Sequence, residues 1–349
     1  MLEHGRGIQV AVTIKDIAAA AGVSRGTVDR ALHGRGGVSA EAASRIRRLA
    51  EEMQYQPNRA GLGLAALKKP LRIGLLLPRL GNLFFEEVVR GAEAAQQSLA
   101  DFGLGLLFRR VQSYDPQSHL QALDWLAGQG VGGICAATVD LPEIRERVAC
   151  LTRQGVPVVA VNTELSPCGC LSYVGCDYRQ TGRIAAGLLL LLAVPEPRLL
   201  IVTGSRHAKG HNERIQGFLD RLAQARAPCQ VLDQLECQDD DREAYRVTRE
   251  ALARLPQVNC LYVAGAGAAG VGAAVREAGL AGRAPILAFD DVPTTRGLVQ
   301  EGLVPAIVCQ QPFQQGYQAV KLLFRCLANG ERPPARFLTD PVIKIAENL

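Results

Sequence analysis

The sequence predicts a small all-α head followed by a larger α/β body whose parallel sheets are shared between two lobes. Three observations predict it. Residues 13–32 (TIKDIAAAAGVSRGTVDRAL) carry the pattern of two short helices joined by a tight turn. From Leu71 onward, short apolar segments alternate with helical ones. The alternation offers about ten strand candidates, too many for one twisted sheet and natural for two similar α/β lobes.

In the head, Ile14, Ile17, Ala18 and Ala21 recur at helical spacing and define one apolar face. Gly22 stands where that helix must stop, Val23 packs the turn, and Ser24 is a good N-cap for a second helix through Val28 to Leu32. Small Ala18 lets the two helices approach, and Val28 faces the same core. An alanine, a glycine and a valine at the fifth, ninth and fifteenth positions of a window opening at Ile14 mark a helix-turn-helix, the shape that lays one helix in a DNA groove. A third helix starts from Ser39, with Ile46, Leu49, Ala50 and Met53 as its stripe, and Tyr55-Gln56-Pro57-Asn58 breaks it. Residues 58–69 are short, rich in Gly, Ala and Leu, and basic at the end: a linker that orders on meeting a partner.

Expected strands in the body are 72–77, 103–108, 133–137, 157–161, 173–174, 199–203, 229–235, 260–264, 285–289 and 306–310. Expected helices are 84–102, 116–128, 141–154, 179–192, 212–225, 243–254, 268–278 and 293–301. The strands are apolar throughout, as when helices cover both faces of a parallel sheet. Ligands then belong at the carboxyl ends of the strands, between the lobes. The expected divisions are a DNA-binding head at 1–57, a hinge at 58–69 and a two-lobe effector-binding and dimerisation domain at 70–349.

Charge agrees with the head's assignment. Residues 1–70 hold eleven Lys/Arg against six Asp/Glu, while the other 279 residues hold 28 of each. A basic segment on a neutral body is an electrostatic footprint for phosphates. The longest apolar run, 184–194, is far short of the ~20 residues of a membrane span and reads as a buried crossover helix. The amino terminus has no apolar signal core, so a cytoplasmic protein without membrane contact is expected. Ten scattered cysteines, with Cys168 and Cys170 the one close pair, read as small hydrophobes in a reducing compartment.

The whole chain, from Val12 onward, resembles the lactose-repressor (LacI/GalR) family of bacterial transcription regulators. The resemblance rests on VTIKDIAAAAGVSRGTVDRAL, VSAE and YQPNRAGLGLA in order. The lobes look like periplasmic sugar-binding proteins of the ribose-binding type (type I), on NLFF at 82–85, PVVAVN at 157–162, ERIQGF at 213–218, FDD at 289–291 and CQQP at 309–312. It implies a DNA-binding regulator, a repressor by expectation, acting as a homodimer on a pseudo-palindromic operator in double-stranded DNA. Base edges would be read from Arg25, Gly26 and Arg30, arginine being the side chain that grips guanine O6 and N7. Thr13, Ser24, Thr27 and Asn58 would serve phosphate and capping contacts, which position without specifying. Leu64 falls where the family's hinge helix wedges a leucine into the minor groove. Gly26 and Asp29 depart from the pattern, as do Gly61 and Gly63 in the hinge; each glycine costs an isolated helix about 1 kcal/mol, and the Asp29 carboxylate is repelled by phosphate unless paired.

For the effector, the resemblance implies a small molecule of carbohydrate kind without fixing its identity. The matching positions are Asn82, Phe84, Phe85, Asn162, Thr163, Asn212, Asp290 and Gln310. Amides and carboxylates hold hydroxyl pairs, and aromatic rings face the apolar side of a sugar. Asp290 has a second reading as the N-cap of the helix from Pro293, and Phe85 a second reading as core. Relatives often carry an arginine where Asn212 stands, and Asn or Asp where Ala137 and Ala264 stand, so this site is less polar. Lys209 and Arg214, near a helix start, suggest room for an anion.

No cofactor and no metal is expected. Gly265-Ala-Gly267-Ala-Ala-Gly270 fits the dinucleotide pattern but sits late in the chain, outside a first βαβ unit. His207 and His211 read as two exposed loop histidines lacking a third ligand, and Asp239–Asp241 as a solvated turn and helix start. The alternatives are a solute-binding receptor without a DNA role, opposed by the basic head, and a nucleotide-cofactor enzyme, opposed by the lack of any catalytic pair.

Overall fold

A computed structural model describes residues 12–32, 36–53, 71–78, 83–111, 115–165 and 167–349. The expected hinge at 58–69, with Asn58 and Leu64, and the cleft candidate Asn82 lie outside the described residues. Helix α1 (Ile14–Ala21) opens on a reciprocal cap. The Asp16 amide donates to the Thr13 hydroxyl at 3.4 Å, and the Thr13 amide donates to the Asp16 carboxylate at 2.8 Å. It ends at Gly22, whose φ of 65° is the left-handed conformation that favours glycine. Helix α2 (Arg25–Leu32) starts from Ser24, whose hydroxyl accepts the Thr27 amide at 3.1 Å. Helix α3 (Ala40–Glu52) starts from Ser39, which accepts the Ala42 amide at 3.2 Å. Ile17, Val28 and Ile46, one from each helix, are fully buried together among Ala18, Ala21, Ala31 and Ala50.

The chain divides into two compact units. One takes in the head with Leu99–Leu104 and Phe324–Arg332, where the rings of Phe102 and Phe324 lie 5.5 Å apart. The other holds Arg72–Ser98, Gly105–Leu323 and Pro333–Leu349. Its first half reads β1 (Arg72–Pro78), α4 (Leu83–Ser98), β2 (Gly105–Val111), α5 (Pro116–Gly128), β3 (Gly133–Ala136), α6 (Pro142–Arg153), β4 (Val158–Val161) and β5 (Ser172–Gly175). Its second half reads α7 (Tyr178–Leu191), β6 (Arg198–Thr203), α8 (Lys209–Gln224), β7 (Gln230–Glu236), α9 (Asp241–Arg254) and β8 (Cys260–Val263). It continues with α10 (Ala268–Glu277), β9 (Ile286–Phe289), α11 (Pro293–Gln300), β10 (Ile307–Cys309), α12 (Pro312–Asn329), β11 (Arg336–Leu338) and β12 (Val342–Lys344).

These strands form two six-stranded sheets, ordered β11-β5-β4-β3-β1-β2 and β12-β10-β9-β8-β6-β7. Pairing is parallel except between β10 and β12. Each central strand is buried on both faces, which explains its unbroken apolar sequence. The chain passes between the lobes after β5, after β10 and after β11. The three passages are laced together: Thr339 donates its amide to Gly175 O at 2.8 Å and its hydroxyl to Gln310 O at 2.9 Å, and Gln311 Nε2 donates to Asp340 O at 2.6 Å.

The alternating pattern and its two-lobe division are observed, with three omissions. Helix α12 was not among the expected helices, although Gln315, Ala319, Val320 and Leu323 bury a helical stripe. Strands β11 and β12 are three residues each, with Leu338, Val342 and Ile343 partly exposed, so they carry no core pattern. The helix expected at 84–102 stops at Ser98, because Ala100–Phe102 tightens into a 3-10 turn ending at Gly103.

Candidate functional site

The head presents α2 outward. Ser24, Arg25, Gly26 and Arg30 are exposed, Thr27 is half-buried, and Val28 and Ala31 hold the opposite face in the core. Gly26 and Arg30 share one helical face, and Arg30 Nε donates to the Gly26 carbonyl at 3.2 Å. Thr13 and Ser24 both act as caps. Two arginines of α3 have internal duties that sequence alone did not expose. Arg45 donates to Ala21 O at 2.5 Å and Arg47 to Ala31 O at 3.4 Å, satisfying carbonyls at the carboxyl ends of α1 and α2. Part of the head's positive charge is therefore structural.

The cleft of the larger unit has a volume of about 610 Å³ and is lined by loops from the carboxyl ends of strands in both sheets. Phe84 and Phe85 meet edge to face at 5.0 Å beside Val111, Ala137 and Val139, forming an apolar wall. Facing it are polar groups from the second lobe, centred on Asp290. Gln310 donates its backbone amide to Asp290 Oδ1 at 3.1 Å and its Nε2 to Oδ2 at 2.6 Å. Burial pushes the Asp290 carboxyl above its ordinary value, while Arg214 and the two Gln310 donors pull it back. Asn162 and Asp290, at the ends of β4 and β9, have φ of 63° and 66°, a conformation that Asn and Asp tolerate better than most residues.

Arg214 is 3% exposed and completes the polar side. Its Nη1 donates to Ala264 O at 2.7 Å, and its guanidinium lies over the rings of Phe289 at 4.1 Å and Tyr178 at 4.8 Å. Its buried Nε has no hydrogen-bond partner, leaving a donor at the cleft. Lys209 is differently placed. Its Nζ lies 3.1 Å from Asp140 Oδ2 and donates to Glu164 O at 2.9 Å, so its charge is answered across the cleft.

The described head and cleft can be set beside known proteins. Residues 13–58 match the model of bacterial regulatory proteins of the lacI family, and residues 73–332 match a periplasmic binding protein domain. The chain is 30% identical over 319 residues to the ribose operon repressor of Bacillus subtilis, covering 89% of this chain and 90% of the relative. It belongs to the lacI family of bacterial regulatory proteins. This regulator is also 28% identical over 218 residues to catabolite control protein A of Priestia megaterium, spanning 62% of this chain and 63% of that one. Among solved structures, the glucose-galactose binding protein GanP of Geobacillus stearothermophilus is similar with a TM-score of 0.74 and 27% identity, over 80% of this chain and 99% of that one. A Burkholderia graminis solute-binding protein in complex with D-arabinose has a TM-score of 0.75 at 22% identity, a likeness of fold. The protein is accordingly a DNA-binding transcription regulator with a type I periplasmic-binding-protein-like sensor domain.

Of the regulator's expected cleft residues, Phe84, Phe85, Asn162, Thr163, Asp290 and Gln310 all line the cavity. Asn212 does not. It is exposed, and its amide donates to Arg206 O at 2.7 Å, closing the turn before α8; the arginine of the site stands two residues later, at 214. Asp290 does not cap α11, whose first turn is closed by Thr295. Phe85 is both core and wall. His119, buried with Nδ1 2.9 Å from Thr138 Oγ1, also lines the cleft; a histidine within an apolar stripe was the available signal.

One secondary reading changes, and two others gain specific contacts. His211 is a half-buried residue of α8 rather than an exposed loop histidine, and Gly204 donates its amide to Nδ1 at 3.3 Å. Asp239–Asp241 is an organised turn: Asp239 accepts the Ala266 amide at 2.9 Å, and Asp240 caps α9 through the amides of Arg242 and Glu243. The glycines resembling a dinucleotide fingerprint have packing duties. A Cβ on Gly270 would lie 1.9 Å from Asp241 O, and one on Gly265 would lie 2.4 Å from the His211 ring. Among the described residues, no group of three His, Cys, Asp or Glu is arranged to hold a metal, and no helix is long and apolar enough to cross a membrane.

Proposed function

We propose that this regulator is a cytoplasmic repressor, not an enzyme, which binds a pseudo-palindromic operator as a homodimer and responds to an uncharged carbohydrate held between its lobes. The observation that carries the effector assignment is the Arg214–Asp290–Gln310 cluster opposite the Phe84–Phe85 wall. It offers a carboxylate, an amide and a free guanidinium donor for hydroxyls, with rings for a sugar's apolar face. Lys209 is engaged by Asp140 and Glu164, which argues against an anionic, phosphorylated ligand. The ribose named in the B. subtilis relative and the hexoses named for GanP make pentoses and hexoses the first candidates.

The mechanism is linkage. Gln310 bonds Asp290 through its side chain and receives Thr339 through its carbonyl, so one residue belongs to both the site and the interlobe passages. A ligand that favours one lobe arrangement thereby biases the spacing of two heads on DNA. On the head, Arg25 and Arg30 read bases, Gly26 brings the backbone close, and Thr13, Ser24, Thr27 and Asn58 meet phosphates, with Leu64 as minor-groove wedge.

The test pairs two variants. Selection from random duplexes at low ionic strength should enrich an inverted repeat, and a thermal-shift screen of sugars, polyols, purines and sugar phosphates should find a neutral sugar. Arg30→Ala should lose the repeat and keep the sugar shift; Asp290→Ala should do the reverse. Enrichment of no motif, or a sugar response surviving Asp290→Ala, would overturn the assignment.

A further inference from the structure

Between β4 and β5 the chain reads Cys168-Gly169-Cys170, and the two sulfur atoms lie 2.6 Å apart, well inside ordinary van der Waals contact. Adjacent side chains in an extended segment point to opposite sides, and alternate ones in a strand stand too far apart for this. The geometry is made by Gly169, whose φ of 71° folds the loop back. A Cβ there would meet nothing within 4 Å, so the position needs glycine for its backbone conformation rather than for space. Cys168 is buried against the core of the first lobe and donates to Leu165 O at 3.2 Å, while Cys170 is half-buried at the surface. Among the described residues no third ligand joins them, so the pair is not built as a metal site.

We propose that Cys168 and Cys170 form a reversible dithiol–disulfide site, oxidised within one loop by a peroxide or by a small-molecule disulfide. With peroxide, the Cys168 thiolate attacks one oxygen, giving a sulfenic acid and, after protonation, water. The Cys170 thiol then displaces the sulfenic hydroxyl as a second water, and the S–S bond forms. The two thiols lose two electrons and two protons in all; one peroxide becomes two waters. A small thiol reverses the step through a mixed disulfide. In a reducing compartment such a bond is transient, which is the character of a sensing site.

The other buried thiols are poor competitors. Burial pushes Cys176, Cys237, Cys260 and Cys309 up to about 12, whereas a hydrogen bond from Cys170 holds Cys168 below its ordinary value. The loop is also the one that brings Asn162 and Thr163 to the cleft and offers Glu164 O to Lys209.

The full-length reduced protein would be treated with hydrogen peroxide, or separately with oxidised glutathione, then alkylated, digested with trypsin and analysed by mass spectrometry. The peptide 154–179, which contains Cys168, Cys170 and Cys176, should lose two hydrogens, with fragmentation placing the bond between 168 and 170 and dithiothreitol restoring it. In Cys170→Ser the sulfenic acid at Cys168 should persist and be captured by dimedone. A bond to Cys176, dimedone capture at Cys168 in the unsubstituted protein, or both thiols untouched under conditions that oxidise free glutathione would each overturn the proposal.

Discussion

At the cleft, Arg214 is buried and Asp290 half-buried, and the charge of each favours the charged form of the other. Neither satisfies the other completely: Asp290 is bonded by Gln310, and Arg214 keeps an unused Nε. A ligand hydroxyl that reaches both gains charge-assisted hydrogen bonds in a low-dielectric setting, where an unpaired donor is costly. His211, half-buried in α8, gives partial burial a different readout. Burial holds its imidazole below the ordinary 6.5, so it is neutral in the folded protein. The unfolded chain takes up a proton at about 6.5 and the folded chain only at lower pH, so stability is retained above that value and declines as pH falls through it. Between about pH 7 and pH 6, His211→Gln should therefore show a flatter melting temperature than the unsubstituted protein, as differential scanning fluorimetry would record.

Helices in this protein meet through glycine. A Cβ on Gly182 of α7 would lie 2.0 Å from Arg214 O of α8, and one on Gly217 of α8 would lie 2.0 Å from Arg179 O of α7. Gly91 of α4 and Gly316 of α12 are related in the same way, each facing a carbonyl of the other helix at 1.9 Å. Such contacts let backbones touch, and the α7–α8 contact fixes where Arg214 starts from. Gly182→Ala cannot be absorbed by a side chain moving aside, because the obstruction is main chain. It should cost about 3 kcal/mol by urea denaturation and weaken the response to the sugar identified in the screen. Preserved stability with unchanged response would mean that α7 and α8 separate freely.

For the molecule as a whole, the head is too small to bind tightly by itself. Three short helices present one outward helix with two exposed arginines, and two more arginines are spent on internal carbonyls. The proposed homodimer answers this by holding two heads at the spacing of an inverted repeat. A duplex carrying one half-site should bind at least about 100-fold more weakly than the full inverted repeat in fluorescence anisotropy at equal salt. Equal affinity for the two duplexes would refute the dimeric mode.

Local pattern by itself determined the head helices with their caps at Thr13, Ser24 and Ser39, the glycine stop at Gly22, and the alternating α/β body. Those features depend on backbone conformation and on periodic burial within a few residues, which a sequence displays directly. It also placed Asp290 and Gln310 at the ends of strands, where a doubly wound lobe gathers its ligands. Only the tertiary structure decided that Arg214 rather than Asn212 enters the cleft, because two residues along α8 rotate a side chain to the other side of the helix. It alone decided that Lys209 is neutralised by Asp140, that Arg45 and Arg47 serve carbonyls, and that strands β11 and β12 close the two sheets. Each of those outcomes is a contact between segments distant in the chain, and no local periodicity encodes which partner a side chain will meet.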